Sequence, residues 1–272
     1  MTTYQAYWGL TFNPFAKDIR PDLVYESKDY KNFCGRMEYF KATKGFAVAY
    51  GESGSGKTTS IRAFVSKLNP QVFKTIYLPL SSVTVMDFYR HLASCLGLIP
   101  RYRKVDLFHD IQEHIVNLVY QKNITPFIII DEAQYLQNAV LNDLRMVFNF
   151  QMDSKNLAMV LLVGQPYFIV QLNLRVHEAL RNRIMVHYEF RGLDREEIKD
   201  YLGSLLKTAG AASPIFAPDA IEAIGAISNG LPQRINSLAE KALIIGFQKQ
   251  ITQIGSEIIE LAQEEIDLLI QR

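Results

Sequence analysis

The chain reads as an α/β protein: a five-stranded, mostly parallel sheet covered by helices on both faces, followed by a smaller all-helical region. Three observations predict this. Five apolar, β-rich runs alternate with helix-patterned stretches as far as Phe190, the pattern of a parallel sheet with crossover helices. A glycine-rich phosphate-binding pattern follows the first run and opens a helix. Beyond Gly192 only helical periodicity remains.

The strand runs are Phe46–Tyr50, Phe73–Leu80, Pro126–Ile130, Leu157–Val163 and Ile184–Phe190. In the third, FIII is apolar at every position, as expected of a strand buried on both faces. The helical part is predicted over residues 194–208, 217–228, 232–249 and 255–270. Pro214 and Pro218 mark a turn, Gly230 and Pro232 separate two helices, and Gly255-Ser256 precedes the last. The expected division is a nucleotide-binding α/β domain with its N-terminal segment over residues 1–191 and a helical lid domain over 192–272. Residues 190–194 are placed as the hinge.

With 29 basic against 28 acidic residues in 272, the chain has no global field to attract DNA or an anionic membrane, so any nucleic-acid surface must be local. Cys34 and Cys95 lack metal-ligand spacing and are expected as free thiols. The start MTTYQAYWGLTFNPF lacks a secretory pattern, and no run is long enough for a membrane span. The expected location is cytoplasmic, with no membrane.

GESGSGKT, Gly51 to Thr58, completes the pattern GxxxxGK(S/T). A triphosphate needs a ring of backbone N–H donors, and Gly51, Gly54 and Gly56 let the loop curl without Cβ clashes. The phosphates then meet a helix N-terminus. Glu52, Ser53 and Ser55 complete the loop, Lys57 is placed to reach the β and γ phosphates, the Thr58 hydroxyl is placed to ligate Mg²⁺, and Thr59 follows in the first turn.

The third strand run ends in Asp131-Glu132, and ligands of open parallel sheets bind at the carboxyl ends of strands. Asp131 is expected to hold Mg²⁺ through its water shell and Glu132 to polarise the attacking water. The fourth run ends LLVGQP, which puts Gln165 at the same edge, as a γ-phosphate sensor or a turn residue before Pro166. Arg181 and Arg183 precede the fifth run. Arginine is suited to neutralising phosphate charge, including across a subunit boundary, and is also commonly a solvated residue.

Taken together, GESGSGKT, FIIIDEAQ, LLVGQP, LRNRI and GLPQRIN resemble the AAA+ ATPases of the ExeA, TnsC, TniB and IstB group. The opening YWGLTFNPF and VYES resemble the start of ExeA-like members. The resemblance implies a P-loop NTPase of AAA+ type, ATP as the nucleotide, the phosphate-loop strand central in the sheet, and a helical lid. It implies Gln165 as the first sensor and Arg183 as an arginine finger acting in trans, hence a homo-oligomer, ring or filament. The family's lid arginine follows a proline directly. Here Gln233 holds that position and Arg234, the candidate nucleotide contact of the lid, comes next, turned by roughly 100° along a helix, which implies slow turnover or a nucleotide-state switch. By analogy Phe12-Asn13-Pro14-Phe15 packs near the adenine edge, whereas the residues themselves read Trp8, Phe12 and Phe15 as core anchors.

For the task served by ATP, the leading expectation is a DNA-transposition helper: an oligomer on double-stranded DNA that recruits or activates a transposase, with hydrolysis controlling disassembly. Arg101, Arg103 and Lys104, interleaved with Tyr102, are the candidate DNA contacts, and also read as a solvated loop. One alternative is an ExeA-type secretion-associated ATPase, set second because the chain stops after the lid without a membrane segment. The other is a nucleotide-gated signalling switch without DNA. The stretch SEIIELAQEEIDLLIQR is expected to complete the lid, with partner recruitment as its second reading.

Overall fold

The computed structural model describes residues 3–17, 19–79 and 84–270. Its strands are β1 (Gly45–Gly51), β2 (Phe73–Leu78), β3 (Thr125–Ile130), β4 (Met159–Gly164) and β5 (Ile184–Phe190). The helices are α1 (Tyr4–Tyr7), α2 (Lys28–Thr43), α3 (Lys57–Ser66), α4 (Val85–Leu96), α5 (Lys104–Tyr120), α6 (Asn138–Val147), α7 (Pro166–Leu172), α8 (Glu178–Arg181), α9 (Arg195–Thr208), α10 (Pro218–Ser228), α11 (Pro232–Gln248) and α12 (Ser256–Ile270). The second strand run was expected to reach Leu80, and residues 80–83 lie outside the described ones.

The chain divides into two compact units. One comprises Asn32–Ser53 and Phe64–Phe190, the other Met1–Lys31, Gly54–Ala63 and Arg191–Arg272. The expectation that the N-terminal segment accompanies the α/β domain is corrected: this segment shares the core of the helical unit. Trp8, Leu10 and Phe15 are buried with Leu202, Leu206, Ile235, Leu238 and Leu243. The Trp8 indole N–H donates to the Leu243 carbonyl at 2.9 Å, so its polar end is satisfied where its ring is buried. Phe12 packs at the margin of the same core, consistent with aromatic anchors.

In the sheet unit all strand pairs are parallel, in the order β2-β3-β4-β1-β5. The central strand is therefore β4, with β1 between it and β5. This corrects the expectation that the phosphate-loop strand is central. Both β3 and β4 are buried throughout, because helices cover the two faces of these interior strands. The edge strand β5 alternates buried and solvent-facing residues, as a half-covered edge does.

Leu78 pairs with Ile130, Ile130 with Leu162, Tyr50 with Gly164 and Gly51 with Phe190. This register brings the carboxyl ends of all five strands to one edge. Phe46, Val48, Ile128, Ile130, Val160 and Leu162 pack with helical residues such as Leu92, Ile111 and Leu144. Elsewhere in this unit Phe33 meets Phe64, Tyr188 and Phe190, and Phe64 meets Phe127.

Candidate functional site

Strand β1 delivers the chain to the phosphate-binding sequence at the carboxyl edge of the sheet. Gly51 is the last residue of β1 and pairs with Phe190, so only the later glycines need a glycine's backbone freedom. Gly54 and Gly56 have φ of +81° and +91°, the left-handed region that disfavours a Cβ. Helix α3 begins at Lys57, directly after this curl, and presents its N-terminal end where a phosphate is favoured.

The Ser55 hydroxyl is buried and has no hydrogen-bond partner among the described residues. A buried unsatisfied hydroxyl is costly, and a phosphate oxygen would satisfy it. Together with the two glycines and the helix end, this fits a bound nucleoside triphosphate. Thr58 is exposed, while Lys57 and Thr59 are half-buried.

In the helical unit, the N–H of Gln233 donates to the Gly54 carbonyl at 3.1 Å. A Cβ on residue 54 would lie 2.8 Å from the Gln233 Cβ, so Gln233 occupies the space that glycine leaves. Gln233 itself therefore meets the loop, at the position where the family carries arginine. Arg234 is exposed on the next residue of α11.

At the end of β3, Asp131 is buried and Glu132 exposed. Asp131 Oδ1 accepts the Glu132 backbone N–H at 2.9 Å, and Asp131 Oδ2 accepts the Tyr77 hydroxyl at 2.8 Å. Glu132 has φ of +53°, an unusual conformation for a non-glycine residue. Burial first, then the hydrogen bond to Asp131 and the charges of Asp131 and Glu132, push the Tyr77 hydroxyl pKa well above the ordinary tyrosine value. Tyr77 therefore stays protonated and remains a donor.

The Gln134 Nε2 donates to Glu132 Oε2 at 2.5 Å, while its Oε1 accepts the Gln165 backbone N–H at 3.2 Å. Asp131, Glu132 and Gln165 are thus joined in one network at the carboxyl edge, and Tyr77 and Gln134 are the residues that sequence reasoning missed. The available signals were an aromatic near the end of an edge strand and a polar residue two positions after the acidic pair. Neither identifies a partner without the strand order.

The arginines are engaged within the chain. Arg183 forms a two-pronged ion pair with Asp153 and donates to the Arg145 carbonyl at 2.6 Å. Arg181 donates to the carbonyls of Leu172 and Asn173 at 3.3 and 3.2 Å. In the 101–104 segment, Arg101 pairs with Asp110 at 3.0 Å and Lys104 with buried Asp143 at 2.6 Å. Arg103 and Tyr102 are exposed. Two of the three candidate DNA-contacting charges are thereby partly neutralised.

No cluster of three or more His, Cys, Asp or Glu suited to a metal ion occurs among the described residues. A divalent cation beside Asp131 would therefore rely on phosphate and water oxygens for its remaining ligands. No helix among the described residues is long and apolar enough to cross a membrane.

Residues 41–172 match the family model described as AAA domain. The fold is that of the P-loop ATPases of AAA+ type, and the match lies within it. The chain is 30% identical to General secretion pathway protein A of Aeromonas hydrophila across 97% of its own length. It spans about half, 48%, of the length of that relative. Among solved structures, Cdc6p from Pyrobaculum aerophilum superposes with a TM-score of 0.70 at 14% identity, covering 93% of this chain and 70% of that one. The Aeropyrum pernix ORC1 protein, solved in complex with DNA, superposes with a TM-score of 0.66 at 17% identity, covering 93% and 68%. At these identities the structural likeness establishes the fold.

Proposed function

We propose that this chain is the ATP-driven switch of a secretion-type assembly, binding and hydrolysing ATP with Mg²⁺ to change the state of a protein partner. The observation that carries this reading is the 30% identity to General secretion pathway protein A over 97% of the chain. The transposition expectation rests on the chain ending after the helical region, and that end carries no weight where the matched stretch is about half of a longer relative. The ion pairs of Arg101 and Lys104 also weaken the proposed DNA patch.

In the proposed mechanism, backbone donors from Gly51 to Thr58 and the Lys57 ammonium bind the phosphates and hold the γ-phosphoryl group for in-line attack. Mg²⁺, when bound, neutralises charge that develops on the phosphate oxygens. Thr58 would supply a hydroxyl ligand to the ion, and Asp131 would hold its water shell. Glu132 would orient the attacking water and accept its proton, and Gln165 would serve as the γ-phosphate sensor. The work is cytoplasmic, where ATP is available, and is done by a homo-oligomer in which Arg183 leaves Asp153 to complete a neighbour's site.

Glu132→Gln tests the chemistry: nucleotide binding is retained and hydrolysis largely lost. Normal turnover would sink the assignment of Glu132. To test the task, the same substitution is made in the producing cell; protein export should stall. Unimpaired export, combined with tight salt-dependent binding of the purified chain to duplex DNA in a nonhydrolysable ATP analogue, would return the transposition reading to first place.

A further inference from the structure

We propose that Gln134 is a positioning residue for hydrolysis, fixing the Glu132 carboxylate and tying it to the start of α7. The inference rests on Glu132 being the group that polarises water. Glu132 is exposed, and a glutamate side chain held only by solvent samples several rotamers. The Gln134 amide restricts that freedom by donating to Oε2 at 2.5 Å.

The orientation of the amide is fixed from both ends. Its Oε1 accepts the Gln165 N–H at 3.2 Å, so a flipped amide would set N–H against N–H and oxygen against carboxylate. Only one orientation satisfies both partners. Backbone geometry supports the seat: a Cβ on Gly164 would lie 3.0 Å from Gln134 Oε1 and 3.1 Å from the Phe168 Cβ. Glycine at the end of β4 therefore gives the amide room.

Glu132 is constrained at its backbone as well, since its N–H is held by Asp131 Oδ1 at 2.9 Å and its φ is +53°. With backbone and carboxylate both fixed, the acid meets water in one geometry. Gln165 is also the N-cap residue of α7. A displacement of that helix start, on nucleotide or partner binding, would reach Glu132 through a single side chain.

The test compares Gln134→Ala and Gln134→Glu with the unsubstituted chain under conditions where the latter turns over. Glutamate keeps the acceptor facing Gln165 but replaces the N–H facing Glu132 with a carboxylate oxygen that repels it, and its size is close to that of glutamine, so it decides the matter if alanine disturbs folding. The expected result is a fall in kcat of roughly ten- to a hundredfold with ATP affinity and KM changed less than about twofold. In single-turnover measurements on Glu132→Gln, adding Gln134→Glu should cost nothing further, because both act on one group. Full kcat, a loss carried by KM, or additive losses in the double variant would each overturn the proposal. If Glu132→Gln is inactive while Gln134→Glu runs at full speed, this inference alone fails. If Glu132→Gln itself turns over normally, the role of Glu132 fails and takes the inference with it.

Discussion

The Tyr77 hydroxyl donates to Asp131 Oδ2 at 2.8 Å, which joins an edge-strand aromatic to the carboxylate proposed to face the Mg²⁺ water shell. With its pKa raised by burial and by the neighbouring carboxylates, the phenol remains a donor through the physiological range. Tyr77→Phe leaves the ring and removes the bond, at a cost of about 1 kcal/mol. The expected outcome is a several-fold higher Mg²⁺ requirement for nucleotide binding, measured by titration with a fluorescent ATP analogue, and an unchanged fold.

Two glycines that face each other, Gly192 before α9 and Gly230 between α10 and α11, tolerate no side chain. A Cβ on Gly192 would lie 2.5 Å from the Gly230 carbonyl oxygen, and one on Gly230 would lie 2.2 Å from that of Leu193. Their φ values are +92° and +75°. Alanine at either site should destabilise the chain by at least ~2 kcal/mol, read as a lower midpoint in denaturant unfolding. The Asp29 carboxylate accepts the backbone N–H groups of Arg191 and Gly192 at 2.8 and 2.9 Å, so the expected hinge is anchored at this end.

Lys104 faces Asp143, whose side chain is only 5% exposed. Removing the lysine leaves a buried carboxylate without this partner, and Lys104→Ala should cost about 1–2 kcal/mol, less than a fully buried pair because the lysine is partly solvated. Charge reversal at Lys104 would therefore confuse instability with lost DNA contact. Arg103→Glu alone is the cleaner probe, and under the secretion reading it leaves both stability and ATP turnover unchanged.

Asp194 caps α9 by accepting the Glu197 N–H at 2.9 Å and also pairs with Lys28. The Lys28 hydrogen bond first, and the backbone bond of Glu197 next, hold its carboxyl pKa below the ordinary value. A depressed folded-state pKa gives stability that is present above the unfolded value near ~4 and lost as pH falls through the folded value. Asp194→Asn keeps an N-cap acceptor without the charge. Its thermal midpoint should therefore fall less steeply than that of the unsubstituted chain on acidification below about pH 4.

Arg183 is committed to Asp153 and to the Arg145 carbonyl within its own chain. If it completes a neighbouring site, Arg183→Ala should lower turnover by about a thousandfold or more while ATP still binds to the monomer. Asp153→Ala should release the guanidinium and lower the protein concentration at which turnover reaches half its maximum. Hydrolysis that proceeds normally in Arg183→Ala would remove the arginine from the mechanism.

The amino-acid sequence by itself determined what local chemistry controls. FIII announced an interior strand because both of its faces must be apolar, and GESGSGKT announced a phosphate loop because tight curvature needs glycine over a few adjacent residues. The helical elements were legible from periodicity and from the prolines and glycines at their ends. Tertiary structure decided which distant residues meet. Trp8 could be read as an anchor but not assigned to the core it shares with Leu243, since many apolar surfaces suit an aromatic ring equally well. The bridge from Glu132 through Gln134 to Gln165 exists only because β3 and β4 lie side by side in register. Arg183 and Lys104 looked like available charges until the fold set Asp153 and Asp143 beside them, because a side chain's type fixes its charge while only its neighbours fix whether that charge is spent.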